Sequence, residues 1–135
     1  MKVSKKTEFL MKLAKAVSII ARKLGGMGLG FGDLAVLYAI SQSPEGRIRR
    51  VDLAEAVGLT ASGVTRLLVP LEKIGVVKRE ANKYDARVSY VAMTKSGKEL
   101  FENTLKWVEM KVDEMIPDGH LKKLDQANDV LDHIS

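Results

Sequence analysis

The chain has 135 residues, 22 lysines and arginines against 17 acids, 46% apolar residues and no cysteine. That is the size of one domain, long enough to bury a core without staples, and the missing thiols exclude disulfides, thiolate nucleophiles and zinc-thiolate clusters. No apolar run approaches the roughly 20 residues that span a bilayer, and lysines interrupt the N-terminal apolar residues where a signal peptide would need a continuous core, so a soluble, cytoplasmic protein is expected.

The charge is unevenly placed. Met1 to Leu24 carries seven basic residues and one acid, and Glu45 to Glu99 carries eleven and seven; Glu102 to Ser135 reverses the balance, with four and eight. The first two-thirds of the chain could face a polyanion, although on charge alone solvated helix faces are the commoner explanation.

Phe9, Leu13, Val17, Ile20 and Leu24 share one face of an N-terminal amphipathic helix. GGMGLGFG then reads as a flexible loop. Its loose G-x-G-x-x-A spacing at Gly30, Gly32 and Ala35 follows a helix and not a strand, so the condition for dinucleotide binding fails. Asp33 is the expected N-cap of a helix through LAVLYAISQ, which Ser43-Pro44-Glu45-Gly46 terminates. A short helix follows over Val51 to Val57, and Thr60 caps the next.

In VDLAEAVGLTASGVTRLLVPLEKIG, residues 51 to 75, Leu53, Val57, Leu59, Val64 and Leu67 have spacings that bury two helices against each other, and Ala54 and Gly58 permit a tight crossing. This is the pattern of a helix-turn-helix. Its second helix would bury Val64, Leu67, Leu68 and Leu71 and leave Ser62, Gly63, Thr65 and Arg66 outside, residues able to meet phosphates and base edges in a major groove. Pro70 removes a hydrogen bond and presses on the Arg66 carbonyl, so a kink or tightening is expected there. Arg47, Arg49 and Arg50, ahead of the motif, are either phosphate contacts or solvated loop residues.

The next stretch, KREANKYDARVSYVAMT, reads as a two-stranded hairpin with a basic tip. Lys78 and Arg79 are neighbours on a strand and point to opposite faces, so at most one should reach DNA. Thr94 or Ser96 starts a long helix in which Phe101, Leu105, Val108, Val112 and Met115 form a packing seam, Pro117-Asp118-Gly119 ends it, and a final helix carries Leu121, Leu124, Val130, Leu131 and Ile134. His120 and His133 lack a short ligand spacing, and no metal or other cofactor is expected. No nucleophile-base pair or phosphate cradle is evident, so no enzymatic activity is expected.

The order helix-turn-helix, Leu71-Glu72-Lys73, Gly75, a basic hairpin with Asp85 and Arg87, then Val91, Met93, Thr94 and Gly97 resembles the MarR family of winged-helix transcriptional regulators. The resemblance is good over about residues 30 to 100 and extends to the flanks by helical pattern alone. It implies an α+β, mainly α fold: a winged helix-turn-helix with a three-helix core and a two-stranded β wing, in a single domain 1–135. Residues 33–94 would form the DNA-binding head, and 1–24 and 95–135 the helices through which two copies intertwine. The implied function is a homodimeric regulator, usually a repressor, that binds a pseudo-palindromic duplex with half-sites about one helical turn, roughly 34–36 Å, apart.

On this reading Thr60, Ser62, Gly63, Thr65 and Arg66 belong to the recognition helix. Arg87 would enter the minor groove, with Asp85 orienting its guanidinium, as against a plain exposed ion pair. Lys83 would touch phosphate, and Tyr84 would pack beneath the tip. The family commonly has a polar or basic residue at the position of Pro70, so any extra phosphate contact from the second half of the helix is in doubt. Met27, Phe31 and Trp107 are either core or the lining of a pocket for a small, often aromatic, anion of the kind relatives bind. The competing function is a winged-helix module for protein-protein contact without DNA binding, which an apolar or acidic outward face of the recognition helix would favour.

Overall fold

The computed structural model describes residues 1–25 and 28–134. Its elements are helices α1 (Lys5–Leu24) and α2 (Phe31–Ser41), strand β1 (Arg47–Arg49), helices α3 (Arg50–Val57) and α4 (Ala61–Lys73), strands β2 (Val77–Ala81) and β3 (Ser89–Met93), and helices α5 (Lys95–Met115) and α6 (Leu121–Asp132). They form two compact units, Met1–Glu102 and Asn103–Ser135.

In the first unit the core is built around α2. Val36, Leu37 and Ile40 of that helix, Leu53 of α3 and Val64 of α4 are wholly buried, each such side chain stabilising the fold by about 1.5–3 kcal/mol relative to exposure. The apolar residues of α2 are spread around the helix because it packs on several sides, against α1, α3, α4 and the sheet. Its start differs from the expectation. Gly30 is the N-cap and Asp33 is the third helical residue, its carboxylate reaching back to accept the Gly30 N–H at 2.9 Å. Such back-bonding is open to an acid at the third helical position, and it leaves Leu29, in a β-bridge, almost completely buried. The flexible-loop reading of GGMGLGFG therefore fails at Leu29 and Phe31; Gly26 and Met27 lie outside the described residues.

The helix-turn-helix turns on Gly58, whose φ of 69° is left-handed, with Leu59 N–H donating to Ala54 O at 2.9 Å. A residue with a Cβ would be strained there. Val64, Leu68 and Leu71 bury as the spacing requires, but Leu67 is half-buried and Leu59 is 44% exposed. Leu59 follows the left-handed turn and is carried outward with it. Pro70 does not end α4, which runs through it to Lys73 with the proline on an exposed side.

The wing is wider than two strands. β1 adds to β3, giving an antiparallel sheet of order β1-β3-β2, with Ile48 opposite Val91 and Val77 opposite Met93. Arg47 and Arg49 are thus strand residues and Arg50 the first of α3, which removes the loop alternative. The run of three arginines hid a strand only three residues long. The sheet leads into α5 through Thr94, whose hydroxyl accepts the Gly97 N–H at 3.0 Å and bonds back to the Gly75 carbonyl. Gly97 lies so close to the preceding turn that a Cβ there would fall 2.0 Å from the Val76 carbonyl oxygen.

In the second unit Thr104 and Val108 are buried and Leu105, Val112 and Met115 half-buried, in keeping with the expected seam of α5. No helix among the described residues is long and apolar enough to cross a membrane.

Candidate nucleic-acid interface

Helix α4 begins at Thr60, whose side-chain oxygen accepts the Gly63 N–H at 3.1 Å and lies 3.2 Å from the Ser62 hydroxyl. A threonine cap satisfies one of the free N–H groups of the helix start, and the positive end of the helix dipole lies at the same place, where phosphate is favoured. Gly63 is half-buried beside Leu59, and its N–H serves the cap. Thr65 is also engaged: its hydroxyl donates to Ala61 O at 3.0 Å and accepts from Arg50 Nη1 at 3.4 Å. In the first half of α4 the exposed polar side chains are Ser62, which touches only the Thr60 cap, and Arg66, which has no carboxylate partner among the described residues.

The wing tip is a closed turn. Asn82 N–H donates to Val88 O at 3.0 Å and Val88 N–H to Asp85 O at 3.1 Å. Within it Asp85 accepts three bonds from Arg87, from the backbone N–H at 3.0 Å, from Nε at 3.1 Å and from Nη2 at 3.2 Å. The Arg87 side chain is nevertheless 91% exposed, so the carboxylate fixes the guanidinium without covering it. Those bonds, the Arg87 side chain foremost and then its backbone N–H, hold the Asp85 carboxyl below the usual carboxylate range, and the nearby charge of Arg49 adds to the effect. Lys83 is exposed at the tip. Tyr84 does not pack beneath it; its side chain is 97% exposed, because Asn82 and not an aromatic ring organises the turn.

The remaining cations divide between free and occupied. Among the described residues no carboxylate pairs with Arg49, Arg66 or Lys83. Arg47 is occupied, by Glu45 at 3.0 Å, by Glu80 at 3.8 Å and by the Tyr90 ring, whose centroid lies 4.5 Å from the guanidinium carbon. Lys78 and Arg79 do take opposite sides of β2: Lys78 pairs with Glu80 of the same strand at 3.4 Å and Arg79 with Glu72 of α4 at 3.5 Å. Phe31 is half-buried at the start of α2, in the first unit. Trp107, in the second, is half-buried with Lys111 Nζ 5.9 Å from its ring centroid.

Sequence reasoning missed β1, Asn82 and Tyr90. Asn82 carried a usable signal, since an Asn two residues before a turn's centre commonly bonds the backbone ahead of it. Tyr90 carried none beyond strand alternation.

A family model described as the MarR family matches residues 32–89. Among curated proteins the chain is 30% identical over 114 residues to the uncharacterized HTH-type transcriptional regulator YdgJ of Bacillus subtilis strain 168, covering 84% of this chain and 68% of that protein. The transcriptional regulator BldR of Sulfolobus solfataricus has a similar solved structure, with a TM-score of 0.79 at 24% identity over 98% of this chain and 100% of that one. So has a MarR family transcriptional regulator of Streptomyces coelicolor solved in complex with DNA, with a TM-score of 0.75 at 20% identity over 97% of this chain and 88% of that one.

Proposed function

Because the chain belongs to the MarR family of DNA-binding transcriptional regulators, we propose that it acts in the cytoplasm as a homodimeric repressor of a pseudo-palindromic operator. The observation that carries this is the pairing of α4, with Ser62 and Arg66 exposed at its capped N-terminal half, with a wing whose Arg87 is fixed by Asp85 and still 91% exposed. A guanidinium pre-set in this way loses less side-chain entropy on entering a narrow groove than a free one would. Lys83 and Arg49 contact phosphate beside it. Arg50 acts through Thr65, to which it donates a hydrogen bond. Arg47, already paired with two carboxylates, supports the wing and does not bind phosphate.

Two helices leave apolar side chains uncovered, which supports a dimer. α1 exposes Phe9, Leu10, Met11 and Val17, and α6 exposes Leu121, Val130 and Leu131. Burying such faces between copies removes apolar area from water and places two heads about one helical turn apart on one face of a duplex. A small aromatic anion bound near Phe31 or Trp107 would release the operator; that a regulator of similar fold, PcaV of Streptomyces coelicolor, has been solved with its natural ligand supports only that a ligand is bound. The protein-contact alternative is not favoured, and the outward residues Ser62, Arg66 and Lys73 of α4 argue against it, leaving only Val69 and Pro70 as exposed apolar side chains in its second half.

The experiment is selection from a randomised duplex pool, with the stoichiometry of the selected complex measured by light scattering. The expected result is a two-fold-symmetric motif bound by two chains. An asymmetric consensus, or one chain per duplex, would overturn the operator reading.

A further inference from the structure

The wing arginine is the last member of a chain of contacts that runs back to the sheet. Asn82 stands at its centre. Its Oδ1 accepts two backbone N–H groups of the turn, Tyr84 at 2.8 Å and Asp85 at 3.2 Å, and its Nδ2 donates to the Tyr90 hydroxyl at 3.2 Å. One amide therefore shapes the turn that presents Asp85 and ties that turn to β3. Tyr90 is held in its own right. It lies opposite Glu80 on β2 and Arg49 on β1, and its ring is covered by the Arg47 guanidinium. Arg47 is braced by Glu80 and by Glu45, the one non-glycine residue with a positive φ (60°) among the described residues. The β2–β3 hairpin brings residues 80, 82 and 90 together, and residues 45 and 47 join them only when β1 pairs with β3.

We infer that Asn82 is a positioning residue of the wing, with Tyr90 and Arg47 as its anchor, and that their task is to hold the Asp85–Arg87 clasp in one geometry before DNA arrives. A hairpin tip tied only by its own turn would have to be ordered on binding, and that cost would be taken from affinity. Here the amide of Asn82 uses its oxygen on the turn and its nitrogen on the sheet, so the tip inherits the rigidity of three strands. The inference rests on the proposal that Arg87 enters the groove, and it gives Arg47 and Tyr90 work that is internal to the protein.

The test is a double-mutant cycle on the duplex returned by the selection, with Asn82→Ala, Arg87→Ala and the double variant, and Tyr90→Phe alongside. Asn82→Ala should weaken binding by about two- to tenfold for each wing and reduce the salt slope toward that of Arg87→Ala. In the Arg87→Ala background the same substitution should cost much less, because only Lys83 is left at the tip to position. Tyr90→Phe keeps the ring beneath Arg47 and removes only the hydroxyl. It should weaken binding by about two- to tenfold, the size of one neutral hydrogen bond, and it carries the test if Asn82→Ala lowers the melting temperature. Equal losses from Asn82→Ala with and without Arg87, or no loss from either Asn82→Ala or Tyr90→Phe, would overturn the inference. An Arg87→Ala protein that binds like the wild type would instead overturn the wing reading beneath it, and this inference with it.

Discussion

Replacing Gly97 by alanine should destabilise the head, and the geometry sets the size of the effect. The added Cβ would lie 2.0 Å from Val76 O, 2.9 Å from Val76 C and 3.2 Å from Thr94 Oγ1. Since such carbons are not found within 3.0 Å of a neighbour, the start of α5 and the Gly75–Val76 turn must part by about 1 Å, and both sides are backbone. That movement stretches the Thr94 N–H to Val76 O bond, now 3.0 Å, beyond hydrogen-bonding reach, and with it the bond from the Thr94 hydroxyl to Gly75 O. Two such bonds are worth about 2 kcal/mol together, and overpacking adds about 1–3 kcal/mol. The helix propensity gained by alanine returns about 1 kcal/mol. The net loss is about 2–4 kcal/mol, or about 6–12 °C in melting temperature for a chain of this size. Thermal unfolding at fixed protein concentration measures it, with Gly119→Ala as the control, because no atom lies within 4 Å of a Cβ at that position. A Gly97→Ala protein as stable as the wild type would refute the reasoning.

Pro70→Ala should raise stability by about 2 kcal/mol, since α4 is already helical through that position and alanine restores a donor for the Arg66 carbonyl; the gain is the helix term less the entropy proline removes from the unfolded chain. A lower urea midpoint for the alanine variant would contradict it. The depressed Asp85 carboxyl sets a pH dependence: its clasp on Arg87 is complete above the ordinary carboxylate value near about 3.9 and is lost only as pH falls through the lower native value. The ratio of wild-type to Asp85→Asn affinity for DNA, measured by anisotropy, should therefore stay constant between about pH 5 and 8. A ratio that changes within that window would show another group to be in control.

The helices were legible because their cues are local. Periodicity gave α1, α4 and α5, the cap at Thr60 was visible as a single residue followed by a helical pattern, and that at Thr94 as one of two candidates, with Ser96 the other. The Asp85–Arg87 clasp was legible too, because two residues two apart at a turn can meet whatever the rest of the chain does. Non-local partnerships were not. β1 is three residues long and becomes a strand only through β3, so its arginines looked like a loop, and the engagement of Arg47 by Glu80 could not be anticipated. Leu59 and Asp33 went astray for a different reason. Each was assigned from type and spacing, while the outcome depended on the direction the chain takes at Gly58 and on a helix that starts three residues earlier, at Phe31.

The central claim is that two wings, each carrying Arg87, enter one duplex. Its most direct test is the salt dependence of binding to the selected operator, for wild type and Arg87→Ala. Two lost contacts should lower the magnitude of the log-log slope by about 1.8, at roughly 0.9 for each. An unchanged slope would contradict the claim.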